Sequence, residues 1–222
     1  MKIKTLIISA MVFIAGISCG QENPQKQDVS QREHLQNISR LRLDLAKEKV
    51  FVATNMADKC QIIVSSLQEE VSSPVTFKIP NNYMTVSQLA ERGYLDMLLA
   101  LGEDSVDYLD EILPTTADRV KKIIQFAMAK NGDKELYPDL VETVDSEEEP
   151  FLRYLAVRAL GYIQKRDVVP VLKKALKDPY FIDASDCGGK YRVFPVREEA
   201  AQALKRRGMD VKQKGENIEI SE

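Results

Sequence analysis

"FLRYLAVRALGYI", residues 151–163, decides how the rest of the chain is read. Leu152, Ala156 and Leu160 recur every four positions and share one helical face, while Arg153 and Arg158 interrupt the apolar run and Leu160-Gly161 closes it. The same three rows return elsewhere. Val120, Ile124 and Met128 precede them by 32 positions, and Val196, Ala200 and Leu204 follow by 44, within "PVREEAAQALKRRG" (195–208). A second helix intervenes each time: "SVDYLDEIL" from 105, "ELYPDLVETV" from 135 and "DVVPVLKKAL" from 167. There Leu109, Leu140 and Leu172 correspond, Leu113, Val144 and Leu176 follow one turn later, and Val106, Tyr137 and Val169 form a third row. "LLALGED" (98–104) echoes the first helix of an earlier unit. Two helices per period of about thirty residues predict an all-α fold, an α-solenoid of three to four repeats.

Helix-start and helix-stop chemistry agrees. Thr85 with Gln88, and Ser146 with Glu149, have the spacing of capping boxes. Asp167 stands at an N-cap, Pro138 and Pro170 sit in first turns where a missing N–H is harmless, and Gly208 follows the last helix. The pattern Leu152-Arg153, Ala156, Ala159-Leu160-Gly161, then Asp167 to Leu172, then Asp178-Pro179, resembles HEAT repeats, nearest to the short bacterial, phycobilisome-lyase-like subtype. "Val196-Arg197-Glu198-Glu199-Ala200" begins the next copy. The likeness spans 85–208 and is strongest over 148–208; in the preceding unit Lys121 replaces the signature arginine. The resemblance implies that Arg153 is a surface arginine and that the second helices line a concave face.

Around this core the chain divides as 1–18, 19–32, 33–80, 81–208 and 209–222. The first segment, within "MKIKTLIISAMVFIAGISC", has basic Lys2 and Lys4, an apolar Thr5–Ile14 run and small residues before Cys19, the build of a secretion signal. "GISCG" resembles the bacterial lipobox, except that Gly16 replaces the usual branched residue, and it implies lipidation at Cys19. A conventionally cleaved signal is the other reading. Under the lipobox reading the protein is held at the cell envelope, and Gly20, which is no retention acid, favours the outer membrane. Residues 19–32 read as a flexible tether. Leu35, Ile38, Leu41, Leu43 and Leu45, then Val52, Met56, Cys60, Ile63 and Leu67, return at helical spacing and predict an N-terminal helical cap over 33–80. Tyr180, Phe181 and Ile182 face Tyr191, Val193 and Phe194 across Gly188-Gly189, which predicts a small β-hairpin inserted before the last repeat. "MDVKQKGENIEISE" (209–222) reads as a second short hairpin closing the solenoid.

Composition narrows the function. The chain has 222 residues, 44% of them hydrophobic, and a net charge of −3, which disfavours a nucleic-acid partner. His34 is the one histidine, so no His-based triad or His–Glu metal pair can be assembled, and no phosphate-binding loop is present. Asp183 and Asp186 are too few for a calcium site. The expectation is a non-catalytic protein without metal or cofactor. Cys60 and Cys187 could pair in an oxidising compartment, and spacing leaves that open.

Partner-binding candidates come from charge and exposure. Asp107, Asp110 and Glu111, then Glu135, Asp139 and Glu142, make the second helices of two units acidic, whereas Lys173, Lys174 and Lys177 make the third basic. A groove so lined would take a protein or peptide of opposite polarity. Tyr180, Phe181, Tyr191 and Arg192 of the hairpin either cover neighbouring helices or contact a partner. The expected function is a lipid-anchored interaction scaffold or regulator. An enzyme or chromophore-lyase relative and a spacer without a ligand are the alternatives.

Overall fold

In the computed structural model the described residues are 24–75, 84–146, 149–164, 167–186, 189–214 and 217–221. Residues 1–23, including the signal, Gly20 and Cys19, lie outside them, as do Cys187 and Gly188. The chain forms two units, 1–34 and 35–222, and all packing below lies within the second. Nine α-helices are described: α1 (Pro24–Val52), α2 (Met56–Ser72), α3 (Val86–Ala100), α4 (Val106–Ile112), α5 (Asp118–Asn131), α6 (Tyr137–Ser146), α7 (Pro150–Leu160), α8 (Val168–Ala175) and α9 (Pro195–Arg206). Two antiparallel hairpins complete it, β1 (Ile182–Asp186) with β2 (Gly189–Val193) and β3 (Asp210–Lys214) with β4 (Asn217–Ser221).

The first helices of successive units, α3, α5, α7 and α9, stack in order, and α6 packs on α8 in a second layer. Burial follows the rows read from the sequence. Val120, Ile124 and Met128, Leu152, Ala156 and Leu160, and Val196, Ala200 and Leu204 are all in the core, with Leu109, Leu140 and Leu172 from the second layer. Leucine-sized side chains buried this way are worth about 2 kcal/mol each. Repeat stacking therefore carries most of the stability. The protein is an all-α solenoid with a small hairpin, and Val211 of β3 seats the second hairpin against α9.

Local chemistry sets several joints. Thr85 and Gln88 form a reciprocal capping box on α3. Gly208 (φ 78°) ends α9 with Met209 N–H bonded to Leu204 C=O and Gly208 N–H to Lys205 C=O, a left-handed terminus that a side chain would strain. Gly161 has another reason to be glycine: a Cβ there would lie 2.5 Å from Arg206 Nη2 and 2.9 Å from the Ala203 Cβ, so α7 and α9 touch only because it is absent.

Several expectations change. The tether is shorter than expected, since residues 24–32 are already helical. Ser146 closes α6 and bonds to Glu142 C=O, while Glu149 caps α7 without a side-chain bond, so their capping box does not form; the acid is used elsewhere. Asp167 occupies the N-cap of α8 but makes no capping bond. Arg153 is not a surface arginine. Its guanidinium is 12% exposed and bonded twice to Asp178, at 2.7 and 3.1 Å, tying α7 to the segment after α8. In α1 the expected apolar series splits. Leu43 packs inward, whereas Leu41, Leu45 and Val52 are exposed. Cys60 is a free thiol wholly buried in α2, so no disulfide holds it, and burial pushes its pKa up to about 11.

Candidate functional site

Two adjoining clefts occupy the second-helix layer. The first, about 260 Å³, lies between α5 and α6: Phe126, Leu136 and Leu140 supply apolar walls, and Asp139 and Glu142 on α6 face Lys122 of α5. The second, about 460 Å³, lies where α6, α7 and α8 meet and is lined by Asp145, Lys174, Lys177 and the Arg153–Asp178 pair. Ser146 lines both. Lys174 Nζ reaches Asp145 Oδ2 at 2.9 Å across α6 and α8 and marks the seam between the acidic and basic halves. Among the described residues, Asp139, Glu142 and Lys177 carry no ion-pair partner, and all three are exposed. The stacking of α6 on α8 is what brings the acidic and basic helices together.

The remaining candidates are placed differently. Asp107, Asp110 and Glu111 on α4, Glu135 before α6, and Lys173 on α8 are exposed but line neither cleft. The hairpin divides. Tyr180 and Ile182 help line a recess of about 80 Å³ against Met84, Phe151 and Tyr154, so part of it covers α7. Phe181, Tyr191 and Arg192 stay exposed, with the Arg192 guanidinium 4.3 Å from the Phe181 ring centre. Asp183 pairs loosely with Arg192 at 3.9 Å. Among the described residues no three His, Cys, Asp or Glu side chains gather as a metal site. No described helix is long and apolar enough to cross a membrane.

Sequence reading missed a partly buried ionic ladder across the first-helix stack. Arg158 on α7, 9% exposed, binds Asp96 of α3 through Nε (2.6 Å) and Nη2 (2.8 Å), and Glu199 of α9 through Nη1 (3.2 Å). Glu199 also accepts from Arg206 at 3.2 Å. Arg119 on α5 bridges Glu91 of α3 (2.9 Å) and Glu149 at the start of α7 (2.6 Å). Burial raises the Glu91 carboxyl to about 7, opposed by the Arg119 charge. At the α1–α2–α3 junction the wholly buried Glu70 accepts from Ser39 and from Ser87, and Arg42 Nη1 lies 3.6 Å away. Next to it burial raises the pKa of the Tyr94 hydroxyl, which has no hydrogen-bond partner. An arginine on an otherwise apolar helix face was the available signal.

Stacked antiparallel helix pairs with a polar second layer define an α-solenoid repeat protein. Residues 106–184, the stretch from α4 into the first hairpin, match the family model of HEAT repeats. Neither a curated protein nor a solved structure matches the chain.

Proposed function

We propose that this protein is a non-catalytic binding module, attached to a cell-envelope membrane through Cys19, which grips another protein along the second-helix layer. HEAT repeats generally mediate contacts between proteins. The observation that carries the reading is the pair of clefts sharing Ser146, one with unpartnered carboxylates Asp139 and Glu142, the other with unpartnered Lys177. A partner segment presenting a basic residue and then an acidic one matches that order, and the apolar walls of the first cleft suit an aliphatic stem. Unpartnered surface charges add more to association rate and selectivity than to affinity. The absence of histidine beyond His34 supports the non-catalytic part. The signal-like residues 1–18 and "GISCG" support the anchor.

A photocrosslinking amino acid at Thr143, in the wall of the first cleft, tests the surface in cells, with Gln202 on α9 as control. The expected result is one crosslinked partner from position 143, none from 202, and loss of the product in Lys174→Glu/Lys177→Glu. Equal capture at both positions, or capture indifferent to the charge reversal, overturns the reading.

A further inference from the structure

The first helix is seated on the repeats far more lightly than the repeats are on one another. Of residues 35–52 of α1 only Ser39 and Ala46, both small, are fully buried, whereas nine of the eleven residues of α7 are. Leu43 and Val50 are half-buried against the core. Along the seam with α3 a recess of about 180 Å³ stays unfilled between Gln36, Ser39 and Leu43 on one side and Val86, Leu89 and Ala90 on the other. A seam with room in it forfeits the close contacts that fix a core. What holds α1 is polar. Ser39 Oγ donates to Glu70 Oε1 of α2, which also accepts from Ser87 Oγ of α3 at 2.6 Å, and Arg42 lies 3.7 Å from Glu69 and 3.6 Å from Glu70 Oε2. Glu70 is wholly buried, yet its Oε2 receives no hydrogen bond, and neither does the buried Tyr94 hydroxyl beside it. Two buried polar atoms without hydrogen bonds are a cost of the closed joint that water removes once α1 lifts. The hinge permits this. Asn55 caps α2 with its own side chain, accepting from the Asp58 N–H at 2.8 Å, so α2 keeps its first turn when α1 leaves.

We infer that residues 35–52 form a strap, latched by the Ser39–Glu70 hydrogen bond, which opens as a unit while the repeats stay folded. Closed, it covers Glu70 and the hydroxyls gathered round it. Open, it gives that face of α2 and α3 to solvent and releases eighteen residues of chain, about 27 Å of helix. The device lies apart from the clefts and requires neither lipidation nor a partner.

Amide hydrogen exchange of the full chain at pH 7, read by mass spectrometry, separates the strap from the stack. A helix without packing is marginal in water, so an unlatched α1 exchanges. Peptides within 35–52 should exchange together and well before those of α5 and α7. Ser39→Ala removes the latch while raising intrinsic helix propensity. Losing a hydrogen bond to a carboxylate should speed exchange over 35–52 by about ten- to a hundred-fold and leave α5 and α7 unchanged. A second variant opens the strap without touching Glu70. A Cβ at Gly93 of α3 would lie 2.7 Å from Leu43 Cδ2, so Gly93→Leu, a better helix former, should press α1 off and speed the same peptides. Three outcomes overturn the inference. Residues 35–52 of the wild type exchange no sooner than α7, so that α1 and the stack open only together. Ser39→Ala speeds α7 as much as α1. Or 35–52 exchanges at the unprotected rate and Ser39→Ala changes nothing, so that there is no latched state.

Discussion

Replacing Arg158 by methionine keeps an unbranched apolar stem and removes the charge on which three helices of the stack converge. The wild-type guanidinium is 9% exposed and its two carboxylate partners differ sharply, Asp96 being 38% exposed and Glu199 only 3%. The exposed limb is screened by water, so its loss costs less than about 1 kcal/mol. Glu199 decides the outcome. Losing one partner of a buried pair costs about 3–5 kcal/mol because the other charge stays in low dielectric. Arg206, at 3.2 Å and 34% exposed, remains to offset part of this. The expected cost of Arg158→Met is therefore about 3 kcal/mol, which for a domain of this size lowers Tm by roughly 6–12 °C. Removing both charges in Arg158→Met/Glu199→Leu should recover most of that loss, since a buried pair replaced by apolar groups is often neutral. The assay is urea unfolding at pH 7, followed by helical circular dichroism, over the four corners of the double-mutant cycle. The coupling should exceed about 1.5 kcal/mol. A single-mutant cost under about 1 kcal/mol, or additive effects, would refute the buried clamp.

The Glu91 carboxyl, raised by burial to about 7 against an ordinary 4.5, holds its proton more tightly folded than unfolded. Its contribution is thus fully present below about pH 4.5 and is lost as pH rises through 7. Glu91→Gln should match wild type near pH 4.5 and exceed it by about 1–3 kcal/mol at pH 8, read from urea midpoints; a variant less stable at pH 8 contradicts this. Gly161→Val should cost about 1–3 kcal/mol by forcing α9 off α7, with Gly161→Ala milder, and a neutral valine would mean the close contact at Ala203 is not kept. Ser87→Ala takes one donor from buried Glu70 and leaves the Val75 N–H without its acceptor, so a loss of about 1–3 kcal/mol is expected in the same assay.

Legibility varied with the kind of interaction. The repeat rows could be read because helix periodicity acts within one turn, so Leu109, Leu140 and Leu172 announce themselves without reference to anything distant. The hairpins could be read for the same reason, from apolar residues flanking a turn. Roles that depend on a neighbour in another unit could not. Arg153 has the spacing of a surface residue, and only the return of the chain at Asp178 shows that it is half-buried and paired. Ser146 and Glu149 have the spacing of a capping box, yet Glu149 is drawn instead to Arg119, thirty positions away. Of the charged candidates, Asp139, Glu142, Lys174 and Lys177 gather at the clefts, while Asp107, Asp110, Glu135 and Lys173 do not line them, a distinction of packing that charge alone does not carry.

The sequence by itself determined that this chain repeats, that each repeat is two amphipathic helices, and where most of those helices begin and end. These follow from short-range propensity and from apolar spacing. Tertiary structure alone decided which arginines are buried, since a guanidinium enters a core only where carboxylates from other helices wait for it. It also decided that the acidic and basic helices share a pair of clefts. On α1 it decided that Leu43, Ala46 and Val50 turn inward while Leu41, Leu45 and Val52 stay exposed, because a helix can lay only one face against a given neighbour.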